Sequence, residues 1–133
     1  MDTIKVVCGI IYKDEKVLLC RRSLHKMLGG YWEFPGGKVE EGESHQESLL
    51  RELNEELGMQ VKVGAHFKTV IHPYDNNTIE LISYVCQFQR ADFMLVDHDA
   101  VEWVNVQDLI KKHLAPADIP IAVELVKNAQ IFH

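Results

Sequence analysis

Residues 36–59 read GGKVEEGESHQESLLRELNEELGM. The second half of this stretch is the strongest helix signal in the chain. Ser44 and Glu47 have the S-x-x-E spacing of a capping box, which satisfies two backbone N–H groups at a helix start. Leu49, Leu50, Leu53 and Leu57 recur at helical spacing, and Gly58 follows as a stop. The spacing predicts a helix over 44–57. At about 100° of rotation per residue, the four leucines span an arc of roughly 100° and form the core stripe. Glu52, Glu55 and Glu56 fall on the adjoining arc, as neighbours one turn apart. The stretch holds seven acidic residues and two basic ones. Like-charge pairs at helical spacing cost about 0.2–0.5 kcal/mol each. A hard divalent cation reverses the sign of that cost, because Mg²⁺ takes carboxylate and phosphate oxygens. A solvated acidic face balanced by Arg51 explains the helix alone equally well.

Working outward, the helix is preceded by Pro35-Gly36-Gly37, a backbone that a ligand can approach closely. Upstream of that, Arg21 and Arg22 end an apolar run. Carboxylates, a glycine turn and guanidinium groups together describe a site for a metal-bound polyphosphate. Residues 4–12 and 17–21 predict a hairpin through a turn at 13–16. Residues 23–31 predict a loop, and 32–34 a short extended piece stopped by Pro35-Gly36-Gly37. Residues 38–43 continue as strand or loop. Strands follow at 60–70 and 78–89, joined by a polar turn at 73–77, and a further strand at 100–104. A short helix is predicted over 106–113 and a last helix over 119–129. The mixture predicts an α/β fold with a mixed sheet between helices.

The 133 residues, 47% of them apolar, predict one domain over 1–133 with a real core. The net charge of −6 argues against a nucleic-acid polymer as partner. Three cysteines without C-x-x-C spacing read as reduced core thiols, which suits a cytoplasmic protein. No apolar run reaches the roughly 18–20 residues of a membrane span, and no signal peptide is read. The seven histidines show no metal-ligand spacing, so no zinc site is predicted; His72 and His98 read as surface loop residues. The oligomeric state is left open.

Gly37, Glu43, Arg51-Glu52-Leu53, Glu55-Glu56 and Gly58-Met59 fall at the spacing G-x5-E-x7-R-E-U-x-E-E-x-G-U, with U aliphatic. This resembles the Nudix box at every fixed position. The resemblance implies an α/β/α sandwich and hydrolysis of a nucleoside diphosphate linked to another moiety. It implies that Glu52, Glu55 and Glu56 bind metal, Mg²⁺ with Mn²⁺ as the alternative, and that the Gly36 carbonyl adds a contact. Glu43 and Arg51, with Gly37 of the box, take supporting roles, bracing the loop against the helix.

The whole length resembles the MutT-like branch of that family, the small nucleoside triphosphate pyrophosphohydrolases. Trp32-Glu33-Phe34-Pro35-Gly36-Gly37 matches its entry segment, and Arg22 falls at its phosphate-contacting arginine, with Arg21 beside it. Leu114-Ala115-Pro116-Ala117-Asp118-Ile119-Pro120 is similar to the wording of the CTP pyrophosphohydrolases. The likeness implies attack of water on a phosphorus, releasing a nucleoside monophosphate and pyrophosphate. Glu55, Glu56 or Asp97 is the expected proton acceptor. Asp97 stands where many members carry a longer glutamate, so its contact with metal is open. Asp118, an acceptor when ionised, suits the amino group of cytosine, though an aspartate there also serves as a helix cap. Phe34 stacks on the base or belongs to the core. The expected substrate is CTP, dCTP or a modified cytosine nucleotide. The alternatives are 8-oxo-dGTP, another nucleoside diphosphate derivative, and a nucleotide-binding module without turnover.

Overall fold

The computed structural model describes residues 2–128. β1 (Thr3–Lys13) and β2 (Lys16–Arg22) form a hairpin. Its turn residues Asp14 and Glu15 both take positive φ, 52° and 67°, which matches the twist of the two strands. β3 (Trp32–Glu33) and β4 (Gly36–Lys38) are short pieces, followed by α1 (His45–Leu57). β5 (Met59–Pro73), β6 (Thr78–Ala91) and β7 (His98–Asn105) complete the strands. Two 3-10 turns, Val106–Lys111 and Pro116–Asp118, lead into α2 (Ile119–Lys127).

β1 is the hub of the sheet. It runs parallel to β6 and antiparallel to β2 and β4. β5 lies outside β6, while β2 carries β7 along one side and β3 along the other. β1 and β2 pair only beside their turn, at Tyr12↔Val17 and Lys13↔Lys16. Beyond it they part, and β3 and β4 fill the gap. The Gly9 amide closes it by donating to the Pro35 carbonyl at 2.8 Å.

Alternation along β1 fills both faces. Val7 and Ile11 pack with Leu49, Leu53 and Leu57 of α1. Cys8 and Ile10 pack with Ile121, Ala122 and Leu125 of α2. The mixed sheet between helices is thus the α/β/α sandwich expected. All three cysteines are free and buried.

Several local expectations need correction. The extended piece does stop before Pro35, but Gly36 and Gly37 go on to form β4, paired with Val7 and Cys8. Leu50 is 44% exposed, since it sits at the edge of the leucine arc and passes beyond the sheet. The helix expected over 106–113 is a 3-10 turn of six residues. His72 lies within β5, its ring tilted against Tyr74. The last residue of the final predicted helix, Ala129, lies outside the described residues. Among the described residues, no helix is long and apolar enough to cross a membrane.

Candidate active site

The capping box forms as read. The Ser44 hydroxyl accepts from the Glu47 amide at 3.1 Å, and the Glu47 carboxylate accepts from the Ser44 amide at 2.9 Å. Gly58 ends the helix in the left-handed conformation, φ 62°. This fixes α1 in register, so its acidic face meets β4.

Arg51 holds that face together. Its Nε and Nη2 donate to the two oxygens of Glu43 at 2.8 and 2.9 Å. Nη1 donates to Glu52 at 2.9 Å and to Glu55 at 3.2 Å. The Ser48 hydroxyl adds a 2.7 Å bond to Glu43. The bonds from Arg51 and then Ser48 hold the Glu43 carboxyl down at about 2. The same pairing raises the guanidinium further above its ordinary value. These bonds tie Glu43, ahead of the helix, to Arg51 on it.

Glu52 rests against Gly37, where a Cβ would overlap its carboxylate. Glu55 is the most exposed of the three acids, and Glu56 the least relieved. Glu56 Oε2 is buried with no hydrogen-bond partner. Burial first, then the adjoining Asp97 and Glu52, push its carboxyl up to about 7. Asp97 is held below its ordinary value, first by the Lys26 ammonium 2.9 Å away. An orphaned, buried carboxylate oxygen is a hard donor of the kind a divalent cation takes, but among the described residues Glu52, Glu55 and Glu56 do not converge within 4.8 Å as a set, and Arg51 engages two of them.

The parting of β1 and β2 opens a cavity of about 380 Å³, and Gly37, against which Glu52 rests, stands in its wall. Arg22, Glu33, Phe34, Gly36, Gly37 and Asp118 all line it. Asp118 is 5% exposed, and its Oδ2 accepts from the Phe34 amide at 2.9 Å. Its side chain makes no helix-capping bond, so the cap reading does not hold. Burial, and next the charge of Glu33, raise its carboxyl well above the usual range. Phe34 serves core and cavity together: it is 3% exposed in the cluster under α2 and lines the pocket.

Arg21 is not brought to this cavity. Its Nε is held by Asp99 at 2.7 Å and its guanidinium lies over the Trp32 ring, on the α2 side of the sheet. Neighbours in a strand face opposite ways, and Arg22 takes the inner side. There it donates from Nε to the Met27 carbonyl at 2.9 Å and from Nη1 to Glu33 at 3.4 Å.

Sequence reasoning passed over Glu33, Lys26 and His98. For Glu33 a signal existed: it alternates with Trp32 and Phe34, which face α2, so it faces the acids. His98 is no surface loop residue. It opens β7, is 6% exposed, and bonds Glu33 at 2.8 Å. Cys20 Sγ, a Glu33 oxygen and a His98 ring nitrogen lie within 4.8 Å of one another. The three come from different strands, so no sequence spacing announces them.

Fold and site together define a hydrolase of phosphoanhydride bonds. The family model for the NUDIX domain matches residues 2–125, and the chain belongs to the Nudix family. It is 36% identical over 121 residues to the CTP pyrophosphohydrolase of Escherichia coli (strain K12), covering 91% of this chain and 90% of that protein. It is 40% identical over 77 residues to the 8-oxo-dGTP diphosphatase of Proteus vulgaris, covering 57% of this chain and 69% of the other. The crystal structure of the MutT protein from Methanosarcina mazei Go1 superposes with a TM-score of 0.85 at 26% identity, covering 97% and 96% of the two chains. Nudix hydrolases act on small nucleotide substrates and generally use divalent metal ions.

Proposed function

We propose that this chain is a Mg²⁺-dependent nucleoside triphosphate pyrophosphohydrolase acting on CTP or dCTP. The observation that carries the base preference is Asp118, buried in the cavity wall and free of any capping role. Burial favours its protonated form. A protonated carboxyl offers one donor and one acceptor. Cytosine presents the complement, an N3 acceptor beside an N4 amino donor. Guanine presents two donors there and calls for an ionised carboxylate. The similarity to the Escherichia coli CTP pyrophosphohydrolase supports the same choice. The cavity of about 380 Å³ lies at the small end of ligand sites.

In this reading Glu52, Glu55 and Glu56, with the Gly36 carbonyl, would hold the metal, which would supply charge neutralisation of the polyphosphate and a more acidic water. Arg22 has Nη2 and part of Nη1 free for phosphate oxygens, since Met27 and Glu33 engage only two of its five donors. The Glu56–Asp97 pair takes the proton of the attacking water. Within the pair Glu56 is the stronger proton acceptor, since its carboxyl is raised to about 7 while Lys26 holds Asp97 below its ordinary value. Water attacks the β-phosphorus, and the monophosphate and pyrophosphate separate.

A second reading, hydrolysis of 8-oxo-dGTP, draws on the likeness to the Proteus vulgaris protein. Product analysis with Mg²⁺ over CTP, dCTP, 8-oxo-dGTP and the common triphosphates separates the two. The expected result is highest kcat/KM for cytosine nucleotides, falling about 10- to 100-fold in Asp118→Ala, which removes both the donor and the acceptor. A wild-type preference for 8-oxo-dGTP refutes the cytosine reading.

A further inference from the structure

β7 pairs with β2 in regular antiparallel register from Lys16↔Asn105 to Arg21↔Ala100, and the next pair is Arg22↔His98. Asp99 is the extra residue of a bulge. Without it, alternation from Val104, in the cluster under α2, would turn His98 toward α2 as well. The bulge turns His98 to the opposite side, where Arg22 lies, and sends Asp99 to Arg21. Bulges beside sites re-aim side chains in this way.

The re-aimed ring completes a row across three strands. His98 Nε2 lies 2.8 Å from Glu33 Oε2, and Arg22 Nη1 lies 3.4 Å from the same oxygen. His98 and Arg22 flank one carboxylate, His98 from β7 and Arg22 from β2, with Glu33 itself on β3. The carboxylate accepts, so Nε2 carries a proton and donates. Nδ1 is buried with no partner. The bond to Glu33 is thus the only hydrogen bond this ring makes among the described residues. A side chain 3% exposed that leaves one nitrogen unsatisfied is costly to keep as mere filling.

We propose that His98 is a positioning residue for the phosphate-binding arginine, acting through Glu33. His98 fixes the Glu33 carboxylate in the rotamer that receives Arg22. Glu33 and the Met27 carbonyl then fix the guanidinium plane, leaving its other N–H groups directed at phosphate oxygens. A guanidinium held in advance loses less freedom when the polyphosphate binds. The inference rests on the reading of Arg22 as the phosphate-binding cation.

The test is steady-state kinetics with CTP and Mg²⁺ on His98→Leu, His98→Gln, Arg22→Ala and the double variant His98→Leu/Arg22→Ala, with melting temperatures for each. His98→Leu removes the donor and is expected to raise KM roughly tenfold with kcat within about twofold. His98→Gln places an amide N–H near the position of Nε2 and is expected to restore KM to within about threefold. In the Arg22→Ala background, His98→Leu is expected to change nothing further, because its route to the substrate is gone. An unchanged KM in a folded His98→Leu overturns the proposal, as does an equal rise in both backgrounds. If His98→Leu does not fold, His98→Gln decides: near-normal KM supports the relay, and a tenfold loss in a folded protein overturns it. A normal KM in Arg22→Ala instead removes the arginine reading itself, which sets that failure apart from a failure of His98 alone.

Discussion

Gly36 and Gly37 stand side by side, yet a methyl group at each meets a different obstacle. At Gly36 it would run into the Val7 carbonyl and Cys8 Cα of the neighbouring strand. Backbone in the middle of a sheet cannot move aside. Gly36→Ala is therefore expected to cost about 3 kcal/mol or more. At Gly37 the methyl would meet the Glu52 carboxylate, the far end of a flexible side chain. That group can swing away, at the cost of its 2.9 Å bond to Arg51. For a pair that is 13% and 23% exposed, the loss is about 1 kcal/mol, or about 4 °C of Tm at this chain length. The functional cost is larger, because Glu52 leaves the position from which it would bind metal. Displacing such a group is expected to lower kcat/KM about 10- to 100-fold, with a higher Mg²⁺ requirement. The assay is pyrophosphate release over a Mg²⁺ titration, beside thermal unfolding. A folded Gly37→Ala with normal turnover at limiting Mg²⁺ refutes the placement of Glu52 in the metal site.

Three further outcomes follow from the site. Glu56→Gln is expected to lower kcat by about 10²–10⁴ while leaving the melting temperature equal or higher, since it removes a buried unpaired charge; near-normal turnover refutes the role of Glu56. Glu43 is held at about 2 against an ordinary value of 4.5, so its contribution to stability is full above pH 4.5 and is lost as pH falls toward 2. Acid unfolding followed by circular dichroism is expected to show a shallower loss over that window in Glu43→Gln. Asp118→Ala is expected to flatten the preference for cytosine over guanine nucleotides, read as the ratio of their kcat/KM values.

The parts of the molecule that were legible in the sequence are those whose determinants lie close together in the chain. The Ser44–Glu47 box, the leucine spacing and Gly58 specify α1 without outside help, and Glu43, just ahead of that helix, meets Arg51 on it. What sequence reading missed depends on partners from elsewhere. Gly36 and Gly37 look like a chain stop until β1 supplies their hydrogen bonds. Asp118 looks like a cap until the Phe34 amide claims its carboxylate. Alternation separates Arg21 from Arg22, but only the identity of the neighbouring strands says which faces inward. His98 was hidden most deeply, because a single extra residue in the β2–β7 ladder reverses its side of the sheet.

The separation of β1 from β2 also has a kinetic meaning. β1 pairs with β6 in parallel, Thr3 against Thr78, so the hub of the sheet cannot close until more than half the chain has been made. Such non-local pairing is slow to form. The capped helix with its acids is encoded locally and is available early. A growing chain therefore carries its acidic helix before it has a pocket to direct it. Asp118 and His98 come still later in the chain.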